Sequence, residues 1–338
     1  MPVSIRPPRR PSVALATSSN WPDLAPDDRL MGPALAKVGV DTEVTIWTDG
    51  GVAWDRFDLV VVRSCWDYHD DLPRWLSWLD EMDAVEHVGR SGPRLWNPPA
   101  ALRWNSRKTY LRDLADRGVP VVPTTWLTEA DLESWPALEA AFDRSRWDDF
   151  VCKPAVSAGA LGTFRLRRGD LKSSQRRVTA SLPGLRRRGP LLVQPFLREI
   201  SDEGEWSLLF FDGRLSHAVL KRPAPGDFRV QEKHGGSTIA AVPPALLVVA
   251  AEKALIDAAA AIEPDSLLRT PLLYARVDLV VSAGRPMLME LEITEPALFL
   301  ETAPASNAIT APSTVGSAAD RFASAILARI AANRATQI

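Results

Sequence analysis

The chain has 338 residues, 46% of them hydrophobic and 24% charged, with a formal net charge of -2. This composition excludes global disorder, and the near-zero charge removes the simplest case for a nucleic-acid binder. The two cysteines, Cys65 and Cys152, lie far apart and exclude a disulfide scaffold or a cysteine zinc site. The longest apolar stretch, Ala245 to Ala251, is cut by Glu252 and Lys253, short of the ~20 residues that a membrane span needs. Arg9-Arg10 precedes too short an apolar run for an export signal, so a soluble, cytoplasmic protein with no membrane partner is expected.

The length fits two or three domains of roughly 100 to 200 residues each, and we place units at 12–100, 101–190 and 191–335. In the first, Val13 to Ala16, Val44 to Trp47 and Leu59 to Val62 read as buried strands, with helical spacing over Asp28 to Val38 and Leu72 to Val85. This alternation predicts a parallel α/β unit that presents ligand contacts at its strand ends. Arg63, Trp66, Asp67 and Tyr68 follow the third strand; they suit a small polar ligand, or equally a helix cap preceded by packed aromatics.

Pro98-Pro99 marks a boundary. A helix is predicted over Asn105 to Arg117, a strand over Val121 to Leu127, a helix near Ala130 to Phe142 and a strand over Asp149 to Lys153. The basic stretch Arg165 to Arg188 reads as a solvated face, a cover over phosphates or a nucleic-acid patch. From Leu191 the pattern turns to paired strands, at Leu191 to Phe196, Trp206 to Phe211, Leu215 to Lys221, Leu273 to Val281 and Pro286 to Ile293. Helices are predicted over Pro244 to Ile262 and Gly316 to Asn333. The order is α/β, then α+β.

The most informative stretch is Tyr274 to Glu292. Residues two apart in a strand share a face, so Glu290 and Glu292 project together. A hairpin centred on Gly284 sets Asp278 opposite Glu290. Like charges so placed need neutralising, which a magnesium ion or an ion pair does. The other readings are a solvated face, with Arg276 pairing one acid, and a general acid/base pair. His69, His87, His217 and His234 show no zinc spacing.

Upstream, Lys153 ends a strand before the small-residue segment Ala155 to Gly162, where backbone N–H groups near Ser157 and Gly159 can approach phosphate oxygens, although a plain turn fits as well. Lys108 on its own reads as a surface charge. Gln194, Pro195, Phe196 and Leu197 end another strand and can border an adenine, with Glu199, Glu203 and Glu205 as candidates for ribose hydroxyls.

Taken in order, Lys108, Lys153, the Val193 to Phe196 hinge, Asp278, Glu290 and Glu292 resemble the ATP-grasp superfamily over about residues 10 to 330. Gly204 to Arg222 is similar to the glutathione-synthetase-type branch. Arg63 to Tyr68, Arg103 to Asn105 and Glu290 to Leu300 resemble, more narrowly, the cyclo-ligases that act on O-ureido-serine in cycloserine pathways. The resemblance implies an ATP-grasp fold behind an N-terminal Rossmann-like domain, with ATP and one or two Mg2+ ions as cofactors. By it, Lys108 and Lys153 contact phosphates, the 194–197 backbone reads adenine, and Asp278, Glu290 and Glu292 hold metal. Arg222 matches a phosphate or acyl-phosphate arginine, and Arg229 a substrate contact. Glu292 departs from the asparagine that many such enzymes carry.

The implied reaction is ATP-dependent ligation through an acyl phosphate, on a small carboxylate substrate with an amine or ureido nucleophile. Joining two molecules and closing one ring both stay open, as do a small-molecule kinase, a non-catalytic ATP-binding module, and monomer against homo-oligomer.

Overall fold

The computed structural model describes residues 9–87, 95–264, 271–302 and 316–335. Strands β1 (Ser12–Thr17), β2 (Asp41–Ile46), β3 (Leu59–Val62) and β4 (Leu95–Trp96) form a parallel sheet in the order β2-β1-β3-β4. Helices α1 (Met31–Lys37) and α2 (Leu72–His87) cover its two faces. Val13 and Leu15 pack with α1, whereas Ala14 and Ala16 pack with the α2 side. A strand buried on both faces must read as an unbroken apolar run. Four tryptophans, Trp47, Trp54, Trp75 and Trp78, pack together on the α2 side.

The helix expected from Asn105 to Arg117 is instead two, α3 (Pro99–Asn105) and α4 (Tyr110–Asp116). Asn105 ends the first because its side chain docks on distant backbone, donating to Leu291 O at 2.8 Å and accepting from Ile293 N at 3.0 Å. The strand expected from Val121 shrinks to β5 (Thr125–Leu127). Pro120 and Pro123 have no N–H to give a ladder. Helix α5 (Trp135–Asp143), strands β6 (Asp149–Pro154) and β7 (Phe164–Arg167), helix α6 (Leu171–Arg186) and strand β8 (Leu191–Pro195) follow. The central sheet is antiparallel, in the order β5-β8-β6-β7. The boundary we expected at 190 therefore moves: β8 completes this sheet, Val193 pairing with Cys152. Of the nine basic residues in the 165–188 stretch, Arg165 and Arg167 pair with Asp149, Arg168 with Asp143, and Arg186 with Glu129, all acids outside it, which favours the solvated-face reading.

After α7 (Arg198–Asp202), strands β9 (Glu205–Phe211), β10 (Arg214–Arg222) and β11 (Ser237–Ala240), helix α8 (Ala245–Ile262), and strands β12 (Tyr274–Ser282) and β13 (Arg285–Glu292) build the third sheet. Its order is β11-β10-β9-β12-β13, with α8 on one face. Helix α9 (Ala318–Ala335), expected with this unit, returns to the first sheet, where Phe322, Ile326 and Ile330 join Val13, Leu15 and Leu35. Apolar burial on the N-terminal sheet explains the return.

Between the sheets runs a non-repetitive segment whose carbonyls no ladder satisfies, so side chains do. The Tyr274 hydroxyl donates to Thr294 O at 2.9 Å and the Trp66 indole to Glu295 O at 2.9 Å. Arg63 donates to Pro296 O at 2.6 Å, Arg276 to Ala297 O at 3.2 Å, and His217 Nε2 lies 2.9 Å from Leu298 O. Burial depresses His217 to about 4, despite the Leu298 carbonyl. A histidine ordinarily near 6.5 thus gains a proton more readily unfolded than folded, so the stability it confers is present above pH 6.5 and lost as pH falls towards 4. Unfolding by urea is expected to show about 2 kcal/mol less stability at pH 5 than at pH 7 from this group, a slope that His217→Gln removes.

Candidate active site

The third sheet turns one face to the first two units and the central sheet. Strand alternation selects what it shows: Val277, Leu279 and Leu291 enter the core with α8, and Arg276, Asp278, Glu290 and Glu292 face outward into a cavity of about 730 Å³. The register has a twist. The turn at Ala283-Gly284 pairs Ser282 with Arg285 and Leu279 with Leu288, and continuing that register would set Asp278 against Met289. A bulge between Leu279 and Asp278 absorbs Met289, so that Asp278 pairs with Glu290 and Arg276 with Glu292. The expected opposition of Asp278 and Glu290 thus occurs, with the bulge as its cause.

One ligand oxygen from each of Asp278, Glu290 and Glu292 lies within 4.8 Å of the others. Arg276 spans two of them, at 3.0 Å from Asp278 and 2.6 Å from Glu292. Asp278 also accepts from the Ser207 hydroxyl at 2.5 Å and lies 3.4 Å from Lys221. Lys221 pairs in turn with Glu205 at 2.5 Å. Burial alone would raise the Glu290 carboxyl, but Lys153 at 3.1 Å and Lys108 at 3.9 Å hold it well below the usual range. Burial pushes Glu292 up to about 7 against the pull of Arg276, helped by the charges of Asp278 and Glu290. Three carboxylates with their ligand oxygens within 4.8 Å of one another offer the oxygen donors that a divalent cation takes. The donor set fits magnesium.

Lys153 reaches this cluster because Phe150 and Cys152 of β6 point into the central core while Val151 and Lys153 point to the cavity. Lys108, expected on a helix, sits in the break between α3 and α4. Its amide donates to Ala155 O at 2.8 Å and its ammonium to Ser157 O at 2.8 Å and to the Ser157 hydroxyl at 3.2 Å. Gly159, Ala160 and Gly162 all have positive φ, and the loop turns on bonds from Leu161 N to Ala158 O and from Thr163 N to Ala160 O. Gly159 faces Lys233 so closely that an added Cβ would lie 2.7 Å from its Nζ, so the 155–162 loop meets the 223–236 loop over the cavity. At the far end Gln194, Pro195, Phe196 and Leu197 line an apolar slot with Val122, Val151 and Met289. The Arg165 guanidinium covers the Phe196 ring at 3.4 Å.

Several expected residues do something else. Arg222 is exposed and off the cavity, since alternation along β10 turns its neighbour Lys221 inward. Arg229 does line the cavity, held by Asp227 at 2.7 Å. Glu199 accepts from the Ser282 hydroxyl at 2.7 Å, away from the cavity lining, and Glu205 belongs to the Lys221–Asp278 cluster. Glu203 is exposed outside the lining. Arg63 has no exposed surface; it pairs with Asp28 at 3.0 Å and holds Pro296 O. Asp67 accepts from the Trp47 indole at 2.8 Å and is not in the lining. Trp66 and Tyr68 are, together with Trp21, His69, Phe299 and Glu295. Sequence reasoning missed Lys221, Glu295 and the inward role of Arg276.

Residues 13–97 match the family model of the D-cycloserine synthetase DcsG N-terminal domain. The cycloserine biosynthesis protein DcsG of Streptomyces lavendulae is 33% identical over 282 residues, 79% of this chain and 85% of that protein. The chain belongs to the DcsG family. The crystal structure of D-cycloserine synthetase DcsG is similar across 94% of this chain and 99% of that one, with a TM-score of 0.76 at 30% identity. A glutathione synthetase of Parasynechococcus marenigrum is 28% identical over 190 residues, 53% of this chain and 52% of that enzyme. D-alanine–D-alanine ligase from Bacillus anthracis shares the fold, with a TM-score of 0.62 at 15% identity. As a member of the DcsG family the protein has the ATP-grasp fold and is an ATP-dependent ligase. Among the described residues no helix is long and apolar enough to cross a membrane.

Proposed function

We propose that this ligase uses ATP and magnesium to close O-ureido-serine or a near analogue into a ring. The reading is carried by the 33% identity to DcsG along 79% of the chain, together with a cavity that sets two lysines against three acids. The substrate carboxylate attacks the γ-phosphorus and ADP leaves, giving an acyl phosphate. A ureido nitrogen of the same molecule then attacks the acyl carbon, phosphate leaves and the nitrogen loses its proton. The chain's part is to position the reactants and neutralise charge on the transferring group. Lys153 and Lys108 suit the phosphates, the 194–197 segment the adenine, and Lys221 and Arg276 the transferring group; Arg229 suits the substrate or the same phosphates. Held by Asp278, Glu290 and Glu292, magnesium would neutralise the terminal phosphate oxygens.

Incubation with ATP, magnesium and O-ureido-serine is expected to release ADP and yield a product lighter than the substrate by the atoms lost on cyclisation, read by mass analysis. Hydroxylamine is expected to divert the intermediate to a hydroxamate. ADP release that requires a second, external amine would replace this reading with intermolecular ligation, which the 28% identity to a glutathione synthetase favours. A stable phosphate ester that hydroxylamine leaves untouched would mark a kinase.

A further inference from the structure

The cavity wall holds one buried carboxyl with which none of its cations forms an ion pair. Five acids in its wall are buried or half-buried: Glu205, Asp278, Glu290, Glu292 and Glu295. Four have a cation within ion-pair distance, Glu205 and Asp278 through Lys221, Glu290 through Lys153, and Glu292 through Arg276. Glu295 has none among the described residues, although only 7% of its surface is exposed. Its backbone is anchored on both sides, Thr294, Glu295, Pro296 and Ala297 each having their carbonyl taken by a side chain of another element. These bonds fix the backbone from which the Glu295 side chain enters the cavity wall. Around it the cavity wall is aromatic, with Trp66, Tyr68 and Phe299. A buried carboxyl without a cation of its own, in a wall that also carries aromatic side chains, is an arrangement that a compact ammonium satisfies.

We infer that Glu295, flanked by Trp66 and Tyr68, binds a primary ammonium group of the substrate and so makes the enzyme selective for amino acids with a free amine. The inference rests on the ligase reading above and extends it to the α-amino group, carried by the same carbon as the reacting carboxylate. It also gives the five-carbonyl anchoring a purpose: Arg63 and Trp66 hold the backbone that aims Glu295, so Arg63 acts on the substrate only through that segment.

The test compares kcat/KM for O-ureido-serine with that for its des-amino analogue, the same chain with hydrogen in place of the amine. Wild-type enzyme is expected to prefer the amine by on the order of 10²-fold, the scale of one charged hydrogen bond in a partly desolvated site. Glu295→Gln is expected to bring the ratio close to one through KM for the amine, and Glu295→Asp to keep part of the preference. Because Gln replaces a buried carboxyl that has no cation partner, the melting temperature should hold or rise, which a purely structural role would reverse. An unchanged preference in Glu295→Gln, or none in the wild type, overturns the inference. Failure of wild-type enzyme to release ADP with O-ureido-serine sinks the cyclo-ligase reading instead. The same ratio, measured between an amino acid that does release ADP and its N-acetyl form, then decides the role of Glu295.

Discussion

Lys153→Ala and Glu290→Gln are each expected to lower turnover by on the order of 10² to 10³ while the protein keeps its fold. Lys153 and Glu290 come from different sheets and meet at 3.1 Å across the cavity, where neither fills a core position. Removing either changes the charge presented to the phosphates and leaves the apolar packing of β6 and β13 in place. The two variants should differ in kind. Glu290→Gln keeps the shape and loses a metal charge, so part of its activity should return at high magnesium; Lys153→Ala should gain nothing from the metal. Rates of ADP release over a magnesium series, with circular dichroism as the check on folding, decide it. Near-normal turnover in both would remove the phosphate and metal assignments together.

Arg276→Met carries the second large effect, and it falls on stability as well as on rate. The guanidinium touches Asp278 at 3.0 Å, Glu292 at 2.6 Å and Ala297 O at 3.2 Å, and Asp278 is almost completely buried. Burial by itself raises the Asp278 carboxyl, and Arg276 with Lys221 reverses that. Deleting Arg276 leaves Glu292 without its cation and Asp278 with Lys221 alone, and breaking a buried pair in this way typically costs about 3 to 5 kcal/mol. Urea unfolding should show that loss, and the double variant Arg276→Met with Asp278→Asn should recover the part that belongs to Asp278, because only Glu292 then lacks its cation. Turnover should fall in both. A variant that unfolds like wild type would mean that solvent, not Arg276, neutralises these acids.

How much of this was legible before folding depends on whether a pattern had a phase. Along Met287 to Ile293 acids alternate with leucine and isoleucine, so the shared face of Glu290 and Glu292 could be read directly. Along β10 only the two end residues, Arg214 and Arg222, are exposed and everything between is buried. That burial gives no phase from which to tell that Lys221, and not the Arg222 implied by the resemblance, faces the cavity. The break between α3 and α4 was equally hidden, because Asn105 stops the helix by binding backbone 186 residues further on.

The linear order of residues by itself determined the α/β and α+β classes and the shared face of Glu290 and Glu292, because local periodicity specifies these; Lys108 entered only with the resemblance to ATP-grasp enzymes. Tertiary structure alone decided the assignment of β8 to the central sheet, the return of α9 to the first, and the conversion of Arg63 from ligand contact to buried brace. Each depends on groups far apart in the chain, such as Arg63 with Asp28 and with Pro296, whose meeting depends on which sheets pack together. The bulge at Met289 is the sharpest case: one extra residue sets which carboxylates face one another, and it registers only once β12 and β13 are paired.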